Sequence, residues 1–100
     1  MDLLNKDLIF KELIKHQAKL KSFGVAKLGL FGSFVDNTQT ENSDIDFLVE
    51  FEDGKKTFDN YMELKFFFEE IFHRKIDLVT PKSIKPLLKE SIFKTVQYAA

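Results

Sequence analysis

Leu28-Gly29-Leu30-Phe31-Gly32-Ser33, ten intervening residues, then Asp44-Ile45-Asp46-Phe47-Leu48-Val49: the fold turns on how this stretch is read. It reads as a strand, a tight Gly-Ser turn, an exposed polar loop and a second strand bearing two carboxylates. Side chains alternate between the faces of a strand, so Asp44 and Asp46 project to the same side. Ile45, Phe47, Val49 and Phe51 then line the opposite face and bury it. Two carboxylates held side by side on a rigid strand repel each other unless a cation sits between them. An all-oxygen cluster of this kind suits Mg²⁺.

The flanking chain has helical and strand signals in alternation. Leu4, Leu8, Ile9, Leu13, Ile14 and Leu20 recur at near-helical spacing, which predicts one amphipathic helix from Leu3 to about Lys21, ended near Ser22 and Gly24. Val25 to Phe31 is the first strand and Ile45 to Phe51 the second, closed by the turn signal Glu52-Asp53-Gly54. Asp36 to Asn42 is the polar loop between them. Phe58 to Phe72 returns to helical spacing, with Leu64, Phe67, Phe68, Ile71 and Phe72 on one stripe. Lys75 to Val79 is a third short strand, stopped at Thr80-Pro81. Leu87 to Val96 is a last helix, with Pro86 near its first turn. This order predicts one small α/β (α+β) domain, with a sheet covered mainly on one side and open to a substrate on the other.

Composition narrows the class. One hundred residues make one domain with a modest core. Formal net charge is −1, with no basic stripe, so no direct nucleic-acid binding is expected. Cysteine is absent, which removes disulfide and thiolate chemistry. No signal peptide or membrane-length apolar run appears, so a cytoplasmic address is expected. Twelve phenylalanines are the unusual feature; they imply a tight aromatic core or a partner-facing surface. In Phe66-Phe67-Phe68, successive helical residues point 100° apart, so one of the three, Phe66, is expected to face outward.

The candidate chemistry rests on few residues. Glycine at 32 allows a tight turn with an uncovered amide, and Ser33 adds a short hydroxyl, together a phosphate cradle. Asp77 lies between Ile76 and Leu78, so it needs a strand's exposed end to escape a large desolvation cost. If its strand pairs beside the second, Asp77 joins Asp44 and Asp46 in a triad able to hold two Mg²⁺ ions.

Gly32-Ser33, the ten-residue return to Asp44-Ile45-Asp46, and Arg74-Lys75-Ile76-Asp77-Leu78-Val79 resemble the minimal nucleotidyltransferases of the DNA polymerase β superfamily, and among them the MntA-type antitoxins that accompany HEPN-domain toxins. The resemblance implies a mixed-sheet nucleotidyltransferase fold over residues 1–100 and Mg²⁺-dependent transfer of a nucleoside monophosphate, AMP from ATP, to a hydroxyl. The implied acceptor is a tyrosine of a HEPN toxin. Residue by residue, Gly32 and Ser33 would contact the β/γ-phosphates, and Asp44 and Asp46 would ligate metal. Asp77 would be the third ligand or the base for the acceptor hydroxyl. Members of the family often continue Gly-Ser with Arg-Ala-Arg-Gly; here Phe34-Val35-Asp36-Asn37 offers no cation and one extra anion. Lys27, Lys55, Lys56 and Lys75 are the candidate substitutes.

Two rivals accompany this reading: a catalytically inactive antitoxin that blocks its toxin by occlusion, and transfer to a small molecule such as an aminoglycoside. One hundred residues are expected to leave no room for an acceptor-binding domain, so a partner chain is expected to supply that surface. His73 and His16 are expected to face solvent, Lys55-Lys56 to form a solvated turn, Glu69-Glu70 a charged helix face, and Tyr98 to pack on the core without a catalytic role.

Overall fold

The computed structural model describes residues 3–99. Its elements run α1 (Lys6–Lys15), α2 (Gln17–Ser22), β1 (Val25–Phe31), α3 (Ser33–Asp36), β2 (Ile45–Phe51), α4 (Phe58–Phe72), β3 (Ile76–Val79), a 3₁₀ turn (Pro81–Ser83), α5 (Pro86–Thr95) and β4 (Gln97–Tyr98). The strands form one mixed sheet in the order β3-β2-β1-β4. β1 pairs antiparallel with β2 and β4, while β3 runs parallel to β2. The parallel pairing follows from α4, whose fifteen residues carry the chain back across the sheet between β2 and β3.

α4 starts because Thr57 caps it, its hydroxyl accepting from the Asn60 amide at 3.1 Å. It ends at His73, which takes a left-handed backbone at φ 53° and is exposed, as expected. Its buried stripe is Leu64, Phe68 and Phe72. Phe68 stacks on Phe47 of β2 with ring centroids 4.5 Å apart. Ile9 and Leu13 of α1, Leu20 of α2 and Phe34 of α3 join Leu28, Leu30, Ile45, Phe47, Val49, Ile76 and Leu78 in the same core. Fully burying one such side chain contributes about 1.5–3 kcal/mol, so this face carries most of the stability. Phe66 points outward, 57 % exposed, as expected.

Several expectations need correction. The first helix is two, because the chain kinks at His16, whose amide is shared between the Glu12 and Leu13 carbonyls. It starts at Lys6 rather than Leu3, since Asn5 caps it by accepting from the Leu8 amide at 3.0 Å. His16 faces solvent only in part: it is half-buried, edge-on to Phe67 at 5.2 Å between ring centroids. α3 and β4 went unforeseen, being too short for a periodic signal. Tyr98 lies outside the core, 38 % exposed, paired with Gly29 and beneath the Lys27 ammonium, 4.0 Å from its ring centroid.

The second face of the sheet is not simply open. Register places Lys27, Gly29 and Phe31 on the same side as Glu50, Leu48 and Asp46. Leu48 is buried there, the 3₁₀ turn lies against β2, and Val96 packs where a Gly29 side chain would stand. The chain after β3 thus covers the middle of this face, because it must return to pair β4 with β1. What stays accessible is the end where Asp46 and Asp77 lie.

Candidate functional site

The site assembles where β1 ends and β2 and β3 begin. Asp46 has Phe31 of β1 as its partner on one side and Asp77 of β3 on the other. Side chains opposite each other in a sheet share a face, so Asp46 and Asp77 stand next to one another at its accessible end. Gly32, one residue past Phe31, has φ +79°, and a Cβ there would overlap the Asp46 carboxylate. Only glycine satisfies both demands, the left-handed backbone and the close approach. The Gly32 carbonyl accepts from the Val35 and Asp36 amides at 3.1 and 3.0 Å, which winds the chain into α3. Ser33 opens α3 and is half-buried, while Phe34 turns into the core.

Asp44 is exposed, one residue before β2. The backbone on either side of it is anchored. The Ser43 carbonyl accepts from Arg74 Nη1 at 3.0 Å, and the Ile45 amide donates to the Lys75 carbonyl at 3.0 Å. The same Nη1 reaches the Thr40 carbonyl at 3.0 Å, and the guanidinium carbon lies 5.3 Å from the Phe34 ring centroid.

Electrostatics bind the three carboxylates into one unit. Burial pushes the Asp46 carboxyl up from its ordinary 3.8 to about 6, and the charges of Asp77 and then Asp44 push the same way. A side-chain hydrogen bond with Asp77 adds to the shift. Such an arrangement holds a proton, or accepts a cation, near neutral pH. Tyr61 of α4 borders the group: its hydroxyl donates to the Leu78 carbonyl at 2.6 Å, and burial, then the Asp77 charge, raises its pKa.

Among the described residues, no three His, Cys, Asp or Glu side chains are already closed around a common point where one ion would sit. Asp44 and Asp77 are both exposed, so rotation of their side chains is unopposed by packing. The donors are all carboxylate oxygens, a set that fits a hard divalent cation.

Of the four lysines considered as phosphate partners, Lys27 is engaged with Tyr98, and Lys56 Nζ lies 3.5 Å from Thr80 Oγ1, beyond the far end of β3. Lys55 packs against Gly24, ahead of β1 and away from the site. Lys75 alone neighbours the site, through its backbone bond to Ile45. Asp36 is exposed at the end of α3. Arg74 and Tyr61 are the neighbours that periodicity did not disclose. Arg74 is the chain's one arginine, three residues before Asp77, and that singularity was the available signal.

The profile of the nucleotidyltransferase domain matches residues 9–99. The chain belongs to the nucleotidyltransferase domain family. This nucleotidyltransferase is 32 % identical over 99 residues to the protein adenylyltransferase MntA of Thermococcus cleftensis, a match spanning 98 % of this chain and 99 % of that one. It also superposes on a candidate minimal nucleotidyltransferase with a TM-score of 0.81, at 23 % identity and covering 97 % and 98 % of the two chains, a likeness of fold. A toxin–antitoxin crystal structure with AMP-PNP superposes with a TM-score of 0.68 at 25 % identity, covering 86 % of this nucleotidyltransferase and 71 % of that chain. The MntA-like fold and class of chemistry expected from the motifs are therefore shown. Among the described residues, no helix of this nucleotidyltransferase is long and apolar enough to cross a membrane.

Proposed function

We propose that this nucleotidyltransferase moves AMP from ATP onto a tyrosine hydroxyl of a HEPN-domain toxin, and so acts as its antitoxin in the cytoplasm. The observation that carries the reading is the register of Asp46 beside Asp77, with Gly32 pressed against Asp46 and Ser33 next along the chain. It places a turn suited to phosphate directly against a charged carboxylate group. The adenylyltransferase name of the T. cleftensis relative and the AMP-PNP in the toxin–antitoxin structure support adenosine triphosphate as donor and a toxin as partner.

In this reading Gly32 and Ser33 hold the β/γ-phosphates through the turn amides and the hydroxyl. Asp44 and Asp46 would hold Mg²⁺, and Asp77 would be a third ligand or receive the proton of the acceptor hydroxyl. Mg²⁺, when bound, neutralises charge on the triphosphate and on the departing pyrophosphate. The acceptor oxygen attacks the α-phosphorus, the bond to the β-phosphate oxygen breaks, and pyrophosphate leaves. The remaining work is positioning and charge stabilisation, which few side chains can perform. Exposed Phe58, Phe66, Leu87 and Leu88 offer apolar surface for the partner that must present the tyrosine.

The test is the intact mass of the co-expressed HEPN partner after incubation with ATP and Mg²⁺, with Asp44→Asn as control. A gain of one or more AMP units that disappears in the variant is the expected result. Tight association without mass change would favour occlusion. Label from ATP appearing on an aminoglycoside, with the partner unlabelled, would favour small-molecule transfer.

A further inference from the structure

The one arginine of the chain is committed to three separate backbone or ring partners, all belonging to segments that carry the site. Arg74 Nη1 donates to both the Thr40 and the Ser43 carbonyls at 3.0 Å, inside the loop that delivers Asp44. Its guanidinium stands over Phe34, whose buried ring anchors α3 directly after Ser33. The next residue, Lys75, accepts from the Ile45 amide through its carbonyl, and two residues further on stands Asp77. Asp44 therefore lies between two backbone anchors, both supplied by the dipeptide that precedes β3.

Without these bonds the loop from Thr38 to Ser43 has only short-range hydrogen bonds among the described residues. Thr40 and Ser43 bond to one another, and Thr38 bonds back to Ser33. None of these ties the loop to the strand that carries Asp77. A guanidinium suits the task because it is flat enough to lie over an aromatic ring and rigid enough to keep one nitrogen between two carbonyls. A lysine ammonium has neither property.

We infer that Arg74 is a positioning residue: seated on the Phe34 ring, it couples the Asp44 loop to β3, so that Asp44 is delivered to Asp46 and Asp77 in one geometry. The inference rests on the nucleotidyl-transfer reading for its kinetic consequence, and on the hydrogen bonds alone for its structural one. Arg74 touches neither nucleotide nor acceptor in this scheme. Its loss acts on turnover more than on nucleotide binding.

The experiment compares the full chain with Arg74→Lys, using hydrogen exchange, thermal melting and steady-state transfer from ATP to the co-expressed partner. Exchange at the Thr40 and Ser43 amides is expected to rise about tenfold or more, while Leu28–Leu30 and Phe47–Val49 keep their protection. Turnover is expected to fall about 10- to 100-fold, with the KM for ATP changed about twofold or less. Unchanged loop exchange would overturn the inference, as would a loosened loop with wild-type kcat. A rise in KM at constant kcat would also overturn it, because delivery of Asp44 would then not be what Arg74 serves. Should Arg74→Lys fail to fold, Arg74→Gln, which keeps one planar donor, is read by the same criteria. The exchange arm needs no turnover. A wild-type chain that transfers to no acceptor would defeat the proposed reaction and leave the Arg74 coupling to stand or fall on loop exchange.

Discussion

The two faces of β2 have opposite energetics within a single strand. On one, Ile45, Phe47 and Val49 are fully buried against the helices, and that burial stabilises the folded chain. On the other, Asp46 is pressed between Gly32 and Asp77, partly desolvated, with two like charges near it. The first face holds the fold together. The second is held in an unfavourable state by the first, which is how a site keeps charges close before any cation arrives. Backbone hydrogen bonds on both sides of β2 prevent Asp46 from moving away from Asp77.

The largest expected effect comes from breaking the apolar face. Phe47→Ala removes a ring stacked on Phe68 and is expected to cost about 3–5 kcal/mol of stability, measured by urea unfolding. That loss is a large part of the whole stability of a chain this size, so site geometry should fail with it.

On the charged face, Asp46→Asn is expected to lower transfer about 100- to 1,000-fold while the chain stays folded. It should also remove a pH dependence of stability that a core change leaves in place. The folded pKa of Asp46 is raised to about 6 from 3.8, so the folded chain binds the proton more tightly than the unfolded one. Without divalent cations, the stability contributed by Asp46 in the parent therefore declines as pH rises from about 4 to 6 and remains lower above that. Asp46→Asn removes this decline. Thermal melts of parent and variant across that range check it, and a parent-minus-variant difference that rises through the window would contradict the burial of the carboxyl.

Gly32→Ala tests the contact between the two halves of the site. It forces a side chain into left-handed backbone and into the Asp46 carboxylate, at a cost of about 1–3 kcal/mol. Transfer should be lost even where the chain remains folded at low temperature. The smallest effect belongs to α4's outer surface: Phe66→Ser is expected to change the stability of the isolated chain by about 0.5 kcal/mol or less. Calorimetry that found a core-sized loss would mean Phe66 is packed, contrary to its exposure.

The elements that could be read from sequence are those with a period. The alternation in Ile45–Phe51 disclosed both the buried face and the carboxylate face of β2, and the Phe58–Phe72 stripe disclosed α4 with its outward Phe66. Leu48 was the blind spot in β2. It sits on the carboxylate face yet is buried, because chain 80–96 returns over that part of the sheet. The kink at His16 was equally hidden, since apolar residues at mixed spacing fit one bent helix or two. In the site, Gly32, Asp46 and Asp77 were legible and their adjacency is observed, while the roles assigned to them await the experiments above. Arg74 went without a role because its partners, Thr40 and Ser43, lie more than thirty residues upstream and offer only carbonyls. Backbone acceptors leave no trace in side-chain composition.

Local physics, residue by residue, determined the elements, the buried stripe, the need for glycine at the turn and the pairing of chemistry-bearing motifs with strand ends. Tertiary structure alone decided that β3 lies parallel to β2 with Asp77 level with Asp46, that the C-terminal chain covers the middle of the second face, and that one guanidinium joins three segments. The reason is range. Periodicity and turn preference are set by neighbours a few residues apart, whereas register, coverage and charge coupling depend on groups brought together only when the core of Phe47, Phe68 and their neighbours closes.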